Sequence, residues 1–213
     1  KNKVRFSIHT NGVSKNWSSI FPFFKKKKLL PDIHLSTELL SDLQNDLRGG
    51  SDLPLKFIRN AKKLGLLIEL KVNLHQKLLS YKNDLKDNLY FWINKGVDSF
   101  FFQPIAPISE DFSVELELKK SFILFLLELK RLKLEDVVLR EKIRNSEQGI
   151  DVIISLLKGT NFYKKVAMKC DSCNKIVFIS SDLKMSNCKT LWGREKGESC
   201  DEFFDFICCG FQP

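Results

Sequence analysis

No stretch of this sequence is apolar for long enough to cross a bilayer as a helix, which takes roughly 18 to 20 residues. The longest candidate, Ser121 to Leu127, is closed by Lys119 and Lys120 on one side and by Glu128, Lys130 and Arg131 on the other. Cysteine is missing before Cys170, so the long first part of the chain can form neither disulfides nor thiolate metal sites. Histidine is scarce, with His9, His34 and His75 the only three, and none falls near the cysteines. Internal repeats, heptad arrays and low-complexity linkers are absent too, which excludes solenoids and coiled coils. A starting methionine and a signal-peptide pattern are also lacking. The chain therefore reads as a fragment or a processed product, with any anchor lying upstream of Lys1.

What is present suffices for a folded core. Hydrophobic residues make up 43% of 213 residues and include 18 Phe, which fits one domain plus an appendage and argues against wholesale disorder. The net charge of +9 raises the question of an anionic partner. Lys25 to Lys28 form a basic run, but most other cations alternate with acids, as between Glu115 and Lys120 and between Lys130 and Glu135. Such mixing describes solvated helix faces, not a phosphate-binding stripe.

Along the chain, apolar runs bounded by turn signals alternate with amphipathic stretches. Strands are predicted at Val4 to Ile8, Leu66 to Leu70, Val97 to Phe102 and Val137 to Leu139. Helices are predicted at Ser36 to Leu47, from Ser51 or Asp52 to Lys63, at Leu79 to Asn94, at Phe112 to Leu132 and at Ser146 to Leu157. Ser36 is placed to cap the first of these, and Gly65, Gly96 and Gly159 each stop a helix. A repeated order of helix, glycine and apolar run is the grammar of βαβ units, so the expected class is α/β with a parallel sheet. A complete eight-fold barrel takes about 250 residues, so a barrel of the TIM type would be partial here. The expected organisation is a partial β/α barrel-like domain over 1–160 and a Cys-rich C-terminal segment over 161–213.

Two segments carry a family resemblance. Phe57 to Asn73, with Ala61, Lys62, Lys63 and Gly65 ahead of an apolar strand, and Leu89 to Phe100, with Phe91, Trp92, Gly96, Val97 and Asp98, resemble the first two signature regions of the α-amylase superfamily. That resemblance implies a glycoside-hydrolase-like barrel, whose chemistry needs two carboxyl groups flanking the bond to be cleaved. Laid on the family pattern, Phe101 and Gln103 stand where an arginine and the nucleophilic aspartate belong. Glu69 takes an aspartate position, Asn73 is retained, and Leu74 replaces a histidine, with His75 displaced by one. Glu141 falls near the general-acid position, and no His-Asp pair follows. Among members of that superfamily the pattern is most similar to the heavy-chain subunits of heteromeric amino-acid transporters.

The resemblance implies a non-catalytic ectodomain on the extracellular side of the plasma membrane, tethered by an upstream helix and partnered with a multi-spanning transporter light chain. No catalytic residue and no cofactor are then expected, and nucleic acid is not an expected partner. The cysteines keep other readings open. Cys170 and Cys173 form a Cys-x-x-Cys knuckle, and with Cys188 and either Cys200 or Cys208 they offer four soft ligands for zinc, while six cysteines equally suit disulfides. The alternative function is thus an intracellular, basic, zinc-containing module that binds nucleic acid. A residual hydrolase using Glu69 and Glu141 ranks last.

Overall fold

Ile68 to Leu74 alternates apolar and polar residues without a break, and in the computed structural model Ile68, Leu70, Val72 and Leu74 are buried while Glu69, Lys71 and Asn73 between them are half-buried. A strand with this pattern has one dry face and one polar face. The structure describes residues 6–14, 16–40, 43–44, 52–75, 78–79, 84–104, 116–158, 178–179 and 185–186. The chain divides into two compact units, Lys1–Arg144 and Asn145–Pro213.

In the first unit the elements run β1 (Ser7–Thr10), α1 (Trp17–Lys27), β2 (Asp32–Ser36), α2 (Asp52–Lys62), β3 (Ile68–Leu74), α3 (Leu85–Asn94), β4 (Ser99–Pro104), α4 (Leu116–Glu135) and α5 (Val137–Lys142). The strands form one sheet in the order β1-β2-β3-β4, every neighbouring pair parallel. Parallel neighbours cannot be joined by a tight turn, which is why a crossover stands between each pair. Beyond β4 a parallel bridge joins Phe100 to Ile143, and the Arg144 N–H donates to the Phe100 carbonyl at 2.8 Å. The second unit contains α6 (Glu147–Leu157) and a short antiparallel pair, β5 (Phe178–Ile179) and β6 (Met185–Ser186).

One face of the sheet is dry. Ile33, Leu35, Ile68, Leu70, Val72 and Phe100 are fully buried. Phe102 on the same face meets Phe125 of α4 at 5.7 Å between ring centroids. Trp17 and Phe21 of α1 close on Phe57 of α2 at 4.8 and 5.3 Å. Trp92 of α3 donates its Nε1–H to the Leu39 carbonyl at 2.7 Å, a buried bond that ties this helix to the chain after β2.

The α/β class and parallel sheet stand, and several element expectations need correction. The segment expected as a helix from Ser36 begins instead with β2, of which Ser36 is the last residue; of the remainder, 43–44 are helical. Ile33 and Leu35 were too short a period-two signal to compete with the helical spacing of the leucines that follow. Ile20 to Phe24 belongs to α1, which the sequence concealed because Pro22, ordinarily a helix breaker, lies inside it. Val137 to Leu139, expected as a strand, opens α5. Asp136 caps that helix by accepting from the Val138 and Leu139 N–H groups at 3.1 Å, and is itself held by the Tyr90 hydroxyl at 2.9 Å and Lys86 Nζ at 3.1 Å.

A half-buried clamp holds the entrance to β3 and β4. The Asp98 carboxylate accepts from the Ile68 N–H at 2.7 Å and from Lys62 Nζ at 2.8 and 2.9 Å, joining the end of α2 to both strands. Replacing Asp98 with Ala leaves the Ile68 N–H without that partner, and we expect a loss of about 1–3 kcal/mol in urea unfolding. Lys62→Ala should cost less, because that ammonium is one-third exposed and water screens it. Equal losses would show that the ammonium, and not the strand N–H, is what the clamp serves.

Candidate functional site

The other face of the sheet is polar, and the register arranges it in rows. His9, His34, Glu69 and Ser99 are successive partners across the four strands. Two residues farther along come Ser36, Lys71 and Phe101, and then Asn73 and Gln103. Parallel α/β sheets bind their ligands at the carboxyl ends of the strands, the end toward which these rows run.

The first row is tightly connected. The His9 and His34 rings stack with centroids 4.5 Å apart and planes 7° from parallel. His34 Nδ1 lies 2.9 Å from Glu69 Oε1, and Lys71 Nζ lies 3.7 Å from the same oxygen. Burial of Glu69 works against its ionisation. The His34 hydrogen bond and the nearby charges of Lys71 and Arg144 prevail, holding the carboxyl below the ordinary glutamate value of 4.5. Lys71 also sits over the Phe101 ring, 4.9 Å from its centroid, so the apolar side chain at that position supports a cation.

A second imidazole and carboxylate meet past the strand ends. His75, just after β3, places Nε2 at 2.8 Å from Oε2 of the buried Glu38, which follows β2. The His75 Nδ1 accepts from the Leu78 N–H at 3.4 Å. Beside this pair, Gln44 Oε1 accepts from the Glu38 N–H at 3.0 Å and from the Thr37 hydroxyl.

The residues singled out by sequence are only partly gathered here. Glu69, Asn73, Phe101 and Gln103 share the polar face, whereas Leu74 is buried on the dry one. Glu141 is exposed on α5, within a helix and not at the strand end where the resemblance put it. Cys170, Cys173, Cys188, Cys200 and Cys208 lie outside the described residues. Among the described residues no group of three His, Cys, Asp or Glu side chains is arranged to hold a metal ion. His34 was missed, although the alternation of charge within Ile68 to Leu74 signalled a polar face to which a neighbouring strand had to contribute.

No protein-family model matches the chain and no curated protein matches it. Solved structures of Streptococcus suis SuiB do share its fold. SuiB, SuiB bound to S-adenosylmethionine and SuiB bound to the precursor peptide SuiA match with TM-scores of 0.56, 0.57 and 0.58, each at 16% identity over 92% of this chain. The chain spans 46% of the first SuiB chain and 45% of the other two. At this identity the likeness concerns the fold.

These matches overturn the family resemblance. They lead to SuiB and away from the α-amylase superfamily and amino-acid transporter heavy chains, so the transporter light chain falls as a partner and the non-catalytic ectodomain falls as a function. The nucleic-acid module is set aside with it. The inference that catalysis is lost also falls, because Phe101, Gln103 and Leu74 count as lost residues only on a glycosidase alignment. Membrane association gains nothing from the structure, since among the described residues no helix is long and apolar enough to cross a membrane.

Glu69 generates a stability prediction. A carboxyl whose folded pKa lies below its unfolded value stabilises the fold fully above the unfolded value, and that contribution disappears as the pH falls through the folded one. Urea midpoints should therefore fall more steeply for the wild type than for Glu69→Gln between about pH 7 and about pH 3. Parallel falls would show that Glu69 is not held ionised by its neighbours.

Proposed function

We propose that this chain is part of an S-adenosylmethionine-binding enzyme that modifies a peptide, and that the polar sheet face is where these ligands lie. The row His9, His34, Glu69 and Ser99 carries this reading. A parallel strand whose two faces are both covered by protein is ordinarily apolar on both, so an ordered row of imidazole, carboxylate and hydroxyl groups indicates a ligand face. Support comes from the shared fold of SuiB, solved both with S-adenosylmethionine and with a precursor peptide.

The groups on this face fit such a cofactor. Asn73 and Gln103, register partners near the ends of β3 and β4, offer amides suited to ribose hydroxyls and an adenine edge. Lys71 and Arg144 supply positive charge for a carboxylate, and Glu69 supplies negative charge for an ammonium. When bound, S-adenosylmethionine supplies a sulfonium whose carbon–sulfur bonds are the reactive ones.

We also read the sheet as one arc of a (β/α) barrel of the TIM type. In an open doubly wound sheet the strand order reverses at a switch point, whereas in a barrel it follows the chain. Here the order is consecutive from β1 to β4, and the Phe100–Ile143 bridge continues it in the same direction.

Calorimetric titration of the chain with S-adenosylmethionine tests the reading. Saturable binding is expected, weakened by about tenfold or more in a variant carrying Asn73→Ala with Gln103→Ala. The absence of any saturable heat with the wild type up to about 1 mM ligand would end the proposal.

A further inference from the structure

We infer that His34 is a proton acceptor on this face, with Nε2 directed to a ligand N–H or O–H and Glu69 as its positioning residue. That the ligand is a peptide rests on the function proposed above; the state of the imidazole does not. An ionised carboxylate only accepts hydrogen bonds, so the Glu69 Oε1 at 2.9 Å requires the hydrogen of the neutral ring to sit on Nδ1. Nε2 then carries the lone pair, and no described residue bonds to it.

The geometry is fixed from several sides. His9 covers one face of the ring, and the pairing of His34 with Glu69 as register partners keeps imidazole and carboxylate in reach through the backbone of two central strands. Lys71 and Arg144 add charge that keeps Glu69 ionised. A ligand N–H or O–H donates to the Nε2 lone pair while the Nδ1–H stays on Glu69, so that any positive charge the ring gains lies beside its carboxylate. This is the relation of base to orienting carboxylate that general-base chemistry needs.

His75 is an internal contrast. Its Nδ1 accepts from the Leu78 N–H, so its hydrogen sits on Nε2 and points to Glu38. Both of its nitrogens are thus engaged. The two side chains are almost equally exposed, 19% for His34 and 16% for His75, so exposure alone predicts no difference in their reactivity.

Nitrogen-15 NMR of the chain at neutral pH should place the hydrogen on Nδ1 in His34 and on Nε2 in His75. Diethyl pyrocarbonate, which attacks an unprotonated ring nitrogen, should then modify His34 about tenfold faster than His75, a difference of about 1.4 kcal/mol in barrier. Glu69→Gln keeps an acceptor oxygen and should retain the His34 tautomer, while Glu69→Ala should lose it, with unchanged His75 signals reporting an intact fold. A hydrogen on Nε2 of His34 in the wild type, or equal modification of the two histidines, overturns the inference. Neither measurement uses S-adenosylmethionine, so a failure here and a failure of the proposed function are read separately.

Discussion

The parallel register between β2 and β3 is the constraint on which the rest of this unit depends. Ile33 opposite Ile68 and Leu35 opposite Leu70 build the centre of the dry layer, and the same register sets His34 beside Glu69 on the other face. Side chains alternate with a period of two, so a slip by one residue would carry an imidazole or a carboxylate into the layer beneath the helices and put leucines in their place. Burying an unpaired charge there costs several kcal/mol. Core and polar row are therefore enforced together, and the apolar residues protect the geometry of the site.

The register needs anchors outside the ladder. Asp98 fixes the N–H that opens β3, and the Asp98 carbonyl in turn accepts from Lys142 Nζ at 3.1 Å, which draws the end of α5 to the start of β4. The bond from the Arg144 N–H to the Phe100 carbonyl then carries the chain alongside β4. Glu69 feels the charge of Arg144 only because that strand-like stretch arrives beside the sheet.

Where periodicity was long and unambiguous, the sequence was legible. The helix after Ser51 and the helix ending at Asn94 lie close to where the spacing of apolar residues puts them, while the strand expected at Leu66 to Leu70 starts at Ile68 and runs on to Leu74. Short or conflicting signals misled. A five-residue strand left β2 with two inward apolar positions, and two adjacent valines made the capped first turn of α5 look extended. The site was legible only in fragments, since Glu69, Asn73 and Gln103 were noticed as positions of a family pattern to which the matching structures do not lead. His34 becomes meaningful only when a register is known, and single-strand patterns do not contain the pairing.

The misleading resemblance has a physical origin. Its firmest match, Gly96, Val97 and Asp98, performs tasks that many helix-to-strand connections share. Gly96 adopts φ +103°, where a Cβ would also meet Lys62 Cγ at 3.0 Å, and it ends α3. Val97 is buried and returns its N–H to the Trp92 carbonyl at 3.0 Å, while Asp98 clamps β3. Such a triplet reports that a helix is turning into a buried parallel strand, whatever reaction the sheet supports. Chemical identity resides in the residues that point away from that core. There two imidazole–carboxylate pairs meet the polar side and the strand ends with opposite nitrogens, one using Nδ1 and the other Nε2. The Leu78 N–H consumes the remaining lone pair of His75, whereas no described residue bonds to the second ring nitrogen of His34. Two pairs of the same composition are thereby given different work by a single backbone N–H.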